Sequence, residues 1–526
     1  MKTLKNLKLE ELSVKQKIGM LLCARSFRVG GEEDLAFTLD LIKNHALGSV
    51  SVPYDRPDIM EKVWEVADYP IISIMDMEMG LQGSELSPIP MMTLSACNKP
   101  EYYQAFARAM VRDAKKAGYN GNWGPVIDIL NTECPVGVHR KFSDDPDRVA
   151  MAAEELSKVF ARNNFLSCGK HYPGGDRPAV DTHMANVASN TSREDLINIK
   201  LRPYWHLMKK GLLPSIMSGH VTHTQIDPDY PASLSKKTID LIREHGFDGV
   251  CFSDSLAMMA IAQKFGEENI LGMAVAAGND IVLPSYRRTT RENYEMLLKN
   301  YEDGAFDQKR LDEAVRRVLA AQAIVGAEPE DPDLFTQKDL ENYNAIARDC
   351  ITAVTDPGVD AALPAENKDR LFVVITDQTT TDRSGQEVMT RTWYHSERII
   401  EKIHKEFPEA EVVTLPEFPI AKENERVLHA ATRHREVVFV TFCTTQPYLG
   451  SNGLTRRVES VINALIYSGK VSAVLHFGNP FAVRPLKHVP RLLFGYMMPE
   501  SQEYAIEVLA GKLSAKGTLP FKVDLS

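Results

Sequence analysis

Residues 147–169 read DRVAMAAEELSKVFARNNFLSCG. Positions 147–164 space their apolar residues as a helix does, and 165–169 form a short apolar run bounded by asparagine and glycine. A helix that delivers the chain straight into a buried strand is half of a β/α unit. The rest of the first 330 residues repeats it. Apolar runs occur at 19–23 (GMLLC), 48–52 (GSVSV), 71–75 (IISIM), 122–129 (NWGPVIDI), 165–169 (FLSCG), 214–219 (PSIMSG), 249–253 (GVCFS) and 280–284 (DIVLP). Amphipathic stretches such as 101–118 (EYYQAFARAMVRDAKKAG) separate them. Strands alternating with helices pair in parallel, and eight such units predict an α/β fold, a (β/α)8 barrel of TIM type over residues 1–330.

A charged, proline-containing stretch (GAEPEDPD, 326–333) and DPGVDAALPAEN (356–367) bracket a predicted helix, so 331–365 reads as a linker region. A second alternation follows over 366–526. Its strand-like runs are LFVVITD (371–377), AEVVTL (410–415), EVVFVTF (436–442), VSAVLHF (471–477) and RLLFGYM (491–497). With helical stretches between them, these predict an open doubly wound sheet, an αβα sandwich. Neither a G-x-G-x-x-G nor a G-x-x-x-x-G-K-[ST] motif is present, so no nucleotide cofactor is indicated.

Bulk properties narrow the function. A net charge of −10 offers no electrostatic grip on nucleic acid or an anionic membrane. No run approaches the roughly 18 apolar residues of a membrane helix. The N-terminal residues are charged throughout, unlike a secretory signal. Seven scattered cysteines without a C-x-x-C argue for free thiols in a reducing compartment, and a cytoplasmic location is expected.

Polar residues follow five of the predicted barrel strands: Asp76, Asp128, Lys170-His171, His220 and Asp254. One such residue is most simply a helix cap or the start of a solvated loop. Five of them point to a site at the C-terminal face, where strand ends converge. Asp254 alone could be a nucleophile, a general base or an N-cap. Asp181 and His183, one residue apart in GKHYPGGDRPAVDTHM (169–184), would point the same way in an extended loop. A carboxylate beside an imidazole orients the ring and raises its pKa, which suits a general acid near neutral pH. His171, His183, His220 and His223 invite a metal site, but no H-x-H pair or zinc template with a third ligand accompanies them.

Seven stretches, in order, resemble family 3 glycoside hydrolases, and within them the β-N-acetylglucosaminidase branch. They are LSVKQKIGMLL (12–22), IMDMEMG (74–80), GYNGNWGPVIDIL (118–130), HRKFSDDP (139–146), GKHYPGGDRPAVDTH (169–183), PASLSKKTIDLIREHGFDGVCFSDSLAMMAI (231–261) and MAVAAGNDIVLP (273–284). The resemblance implies a retaining glycosidase without cofactor or metal. Asp254 matches the nucleophile, and His183 held by Asp181 matches the acid/base. Asp76, Arg140, Lys170 and His171 match sugar-binding positions. The implied partner is an aminosugar glycoside or peptidoglycan fragment, bound by a monomer or homodimer. Phosphate is an alternative acceptor, which would make the chain a glycoside phosphorylase. The sequence departs from the family where Gly174-Gly175-Asp176-Arg177 replaces G-H-G-D, and where Met79 replaces a glycine with no arginine following. A catalytically weak sugar-binding protein and a metal-dependent barrel hydrolase are the competing readings.

Overall fold

Asp145 caps the helix Pro146–Arg162 by accepting the Asp147 amide proton at 2.9 Å, with Pro146 opening the first turn. Val149, Ala153, Leu156, Val159 and Phe160 make up its buried stripe. Two asparagines end it. The Asn163 side chain bonds back to the Val159 carbonyl, and Asn164 adopts a left-handed conformation (φ 49°) that turns the chain into the next strand.

The computed structural model describes residues 4–25, 27, 29–133, 137–176, 186–258, 261, 264–330, 332–377, 379–381, 387–389, 393–443 and 453–522. They fall into two compact units. The first comprises Met1–Leu86, Tyr103–Cys134 and Asp145–Asp339; the second comprises Ser87–Tyr102, Pro135–Asp144 and Leu340–Ser526.

In the first unit the strands are β1 (Cys23–Ala24), β2 (Ser49–Val50), β3 (Ile72–Met75), β4 (Gly121–Asn122), β5 (Leu166–Ser167), β6 (Gly169–Tyr172), β7 (Val187–Ser189), β8 (Ser215–Ser218), β9 (Val221–His223), β10 (Val250–Ser255) and β11 (Ile281–Leu283). Strands β1 to β5 pair in order, and so do β6, β8, β10 and β11, all in parallel. A bridge between Leu22 and Val282 joins the last strand to the first. With β5 and β6 taken as one strand interrupted at Cys168, the described residues close a ring of eight. This is a (β/α)8 barrel. Strands β7 and β9 pair with each other outside that ring.

Two of these strands are irregular where the argument needs them. Pairing of β6 with β8 runs Lys170–Met217 and then Tyr172–Ser218, leaving His171 as an extra residue. Pairing of β10 with β11 runs Phe252–Ile281 and then Ser255–Leu283, leaving Ser253 and Asp254 opposite one residue. Such bulges re-aim side chains. Their effect is visible at β6. Residues two apart on a regular strand share a face. Lys170 nevertheless meets carboxylates at the end of β3, while Tyr172 packs on Tyr204 and donates to the Thr238 carbonyl, both on surrounding helices.

The second unit holds β12 (Thr352–Thr355), β13 (Arg370–Thr376), β14 (Thr379–Thr381), β15 (Glu387–Met389), β16 (Glu411–Pro416), β17 (Glu436–Cys443), β18 (Val471–Gly478) and β19 (Arg491–Tyr496). Six of them form one sheet in the order β12-β19-β18-β17-β13-β16, and β14 pairs with β15. Five strands are parallel, and β12 runs antiparallel at the edge. Helix Ser396–Glu406 packs on Ser501–Leu509, and Ala421–Thr432 packs on Arg456–Tyr467. These pairs flank the sheet as an αβα sandwich. Strands β13, β17 and β18 are buried nearly throughout, as a sheet covered on both faces requires.

Candidate active site

Strand β3 runs out at Met75, and Asp76 and Glu78 follow it. The buried Asn122 side chain at the end of β4 accepts the Met77 amide proton at 2.9 Å, which pins the backbone between the two acids. Lys170 lies across from them. Its ammonium meets Asp76 Oδ1 at 2.5 Å and Glu78 Oε1 at 2.6 Å and is almost fully buried, with 2% of the side chain exposed. One cation thus serves two carboxylates. The Asp76 side chain remains 58% exposed, so it can still accept a hydroxyl from a ligand.

His171 is fixed twice by one residue. Its backbone N–H donates to Asp128 Oδ1 at 3.0 Å, and its Nδ1 lies 2.9 Å from Asp128 Oδ2.

Asp254 is half-buried in the β10 bulge. The Ser255 amide donates to its Oδ1 at 2.6 Å. Burial alone pushes the carboxyl up, but His220, His171, the Ser255 N–H and Lys170 outweigh it and bring the pKa down to about 2. The carboxylate is therefore ionised throughout the neutral range, the state a nucleophile needs. His220 is buried beside it, with Nδ1 2.8 Å from Ser233 Oγ and Nε2 2.9 Å from the Ser255 carbonyl. The carbonyl can only accept, so Nε2 carries a proton.

Asp76, Lys170, His171 and Asp254 therefore surround one barrel mouth. Lys170 and His171 belong to strand β6 itself, whereas the local sequence reads them as the start of a loop. Their strand continues because its last residues pair with β8. Arg140 ends the short turn Val138–Arg140 in the second unit. Asp181 and His183 lie outside the described residues. Three further residues join the site: Glu78, Asp128 and His220. Asp128 and His220 carried a signal as polar groups ending predicted strands. Glu78 carried one as the residue two after Asp76, on the same side of an extended segment. His223 is different. Neither ring nitrogen has a partner among the described residues, and burial holds its pKa down at about 4. Among the described residues no group of three metal-ligating side chains converges.

The description of the N-terminal domain of glycosyl hydrolase family 3 matches residues 15–321, more than half of the chain. The chain belongs to glycosyl hydrolase family 3. Among family relatives, a β-hexosaminidase of Neisseria meningitidis (serogroup C, serotype 2a) is 33% identical over 178 residues, covering 34% of this chain and 49% of that protein. A β-N-acetylglucosaminidase/β-glucosidase of Cellulomonas fimi is 24% identical over 334 residues, covering 60% of this chain and 59% of that one. The chain thus spans about half the length of the β-hexosaminidase it matches. A solved family 3 β-N-acetylglucosaminidase of Paenibacillus sp. superimposes with a TM-score of 0.78 at 23% identity, over 98% of this chain and 100% of that one. That likeness establishes the shared family 3 fold in both units.

Proposed function

We propose that this family 3 chain is a retaining exo-β-N-acetylglucosaminidase. The observation that carries the reading is the ionised Asp254, held in a strand bulge beside Lys170 and His171 at the barrel mouth. Asp254 attacks the anomeric carbon as the glycosidic C–O bond breaks, and His183 gives its proton to the departing oxygen. A glycosyl ester on Asp254 results. Water, deprotonated by His183, then releases the sugar and restores the carboxylate. Asp181 keeps the His183 ring oriented, which supports its proton transfer.

Sugar hydroxyls are held by Asp76, Lys170 and His171. Arg140 is assigned a sugar contact on its match to HRKFSDDP alone. Residues 1–330 are read as the catalytic domain and 366–526 as a second domain joined through 331–365. The six described cysteines are buried, and a reducing, cytoplasmic setting is part of this reading. Among the described residues no helix is long and apolar enough to cross a membrane. A role in recycling cell-wall aminosugars, by a monomer or homodimer, fits this substrate class.

The test is nitrophenol release from 4-nitrophenyl N-acetyl-β-glucosaminide, with and without phosphate, by the native chain and by Asp254→Ala. Turnover that disappears in the variant, with a sugar ester detected on Asp254 by mass spectrometry, is the expected result. Full activity in the variant would remove the nucleophile assignment. Phosphate-dependent formation of sugar 1-phosphate would replace the hydrolase by a phosphorylase.

A further inference from the structure

Arg25 directly follows β1, and nothing in the mechanism above uses it. Its guanidinium lies 6.0 Å from the centre of the Trp123 ring and 5.5 Å from that of Tyr286. Tyr286 comes just after β11, the ring neighbour of β1, while Trp123 comes just after β4, three places round the other way. A side chain from the end of β1 that reaches the end of β4 has to cross the opening of the barrel. Trp123 is buried and meets Phe252 edge-on at 6.2 Å, on the strand that carries Asp254. The guanidinium therefore rests on an aromatic floor inside the same mouth.

No carboxylate among the described residues neutralises its charge. Among the described residues Arg25 makes no hydrogen bond or ion pair, and its Nη1 is buried without an acceptor. The indole Nε1 of Trp123 is likewise buried and unpartnered. Both groups can only donate. Arg56, Arg108, Arg243 and Arg310 of the same unit all have carboxylate partners. Stacking on rings satisfies the face of a guanidinium and leaves its N–H edge unmet. At the rim, Arg287 lies 5.6 Å from the Tyr286 ring and also has no carboxylate partner among the described residues.

We infer that Arg25, with the Trp123 indole N–H, receives an anionic group, a carboxylate or phosphate, carried by the saccharide that Asp254 attacks. The inference rests on the glycosidase reading above. A tethered anion fits better than a free one, because Asp76, Glu78, Asp128 and Asp254 already make the surroundings acidic. An anion must be brought against that field by contacts elsewhere on the same sugar, which raises its effective concentration at Arg25. The enzyme then selects acidic saccharides over neutral ones.

Binding to the full chain tests this, read by calorimetry, with N-acetylglucosamine against its 6-phosphate, glucose against glucuronate, and inorganic phosphate alone. The native chain should bind at least one acidic sugar about tenfold or more tightly than its neutral counterpart, as a charge-assisted hydrogen bond implies. In Arg25→Met that ratio should fall to about one, and Arg25→Lys should restore part of it. A native ratio near one, or a ratio that Arg25→Met leaves intact, overturns the inference. Phosphate binding as tightly as the acidic sugars, and lost in Arg25→Met, would replace the tethered group by a free anion. Turnover of the neutral nitrophenyl glycoside without acidic preference sinks this inference alone. Acidic preference in binding without turnover of any glycoside sinks the glycosidase reading and leaves the Arg25 site.

Discussion

Charge is buried at both ends of the barrel, and the two clusters are built to different ends. At the N-terminal end of β11, Asp280 has no exposed surface. Its oxygens accept from Arg243 at 2.7 Å, Arg310 at 2.9 Å, Arg317 at 3.3 Å and the Cys251 amide at 3.0 Å. Those arginines come from the helices Lys236–Glu244 and Gln308–Gly326, so the carboxylate ties two helices to two strands. At the C-terminal ends, Lys170 is equally buried, yet its partner Asp76 stays largely open and Asp254 is only half covered. The same residue types do both jobs. What separates them is whether an oxygen is left over. A saturated carboxylate holds the fold, and an unsaturated one is available to a ligand.

That contrast can be broken most forcefully at Asp254. Asp254→Asn should lower kcat on the order of 10⁴-fold or more, with little change in the urea midpoint. A variant that unfolds instead would mean that the upper cluster is structural too. Asp280→Asn should behave in the opposite way, because it strips one partner from a buried ionic cluster. We expect a loss of about 3–5 kcal/mol in urea denaturation, with kcat of the folded protein retained. Loss of activity without loss of stability there would erase the distinction.

Lys170→Met probes the link between the two roles. Misplacing Asp76 should cost about 10²-fold in kcat/KM. The variant also removes the ammonium that Asp76 and Glu78 share, so the two carboxylates lose the charge that offsets their mutual repulsion. A new acid limb in the pH profile of kcat/KM should accompany the loss, and a profile of unchanged shape would count against the shared-cation geometry.

The smallest effects concern pH. Asp254 has a folded pKa of about 2, below its unfolded value, so its contribution to stability is present above about pH 4 and is lost as pH falls towards 2. It cannot cause a fall in kcat/KM between pH 4 and 7, and any limb there must vanish in a His183 variant to fit the proposed acid. His223 shifts the other kind of group. Its folded pKa of about 4 lies below the unfolded histidine value, so the unfolded chain binds the extra proton. Stability is complete above about pH 6.5 and declines towards pH 4. His223→Phe should flatten the dependence of Tm on pH across that window, and an unaltered slope would mean that the ring is already protonated when folded.

Much of the fold is legible in the sequence. Eight apolar runs at β/α spacing were enough for the barrel, because a buried parallel strand must be apolar on both faces and needs a crossover helix before the next. Strand-end polarity pointed to the C-terminal face, where Asp76, Lys170, His171 and Asp254 stand, since strand ends are where the backbone stops constraining side-chain type. Glu78 is weakly marked in the sequence, because two acids one residue apart look like a solvated turn until the buried Lys170 is placed against both. Arg25 carries no signal in the sequence, because an arginine after an apolar run is ordinary; only the ring order of the strands reveals that it crosses the mouth.

The residues by themselves determined the alternation of strand and helix, the αβα second unit, the strand ends at which the polar groups gather and membership of family 3. The tertiary structure alone decided which way the decisive side chains point. A period-two pattern puts Lys170 and Tyr172 on one face, and the extra residue at His171 separates them. Asp254 is likewise aimed by a mismatch between β10 and β11. A bulge is a property of two strands in register, and the partners here are supplied by segments about thirty to forty-five residues away in the chain. No local pattern contains that pairing, so the fold was legible before the site was.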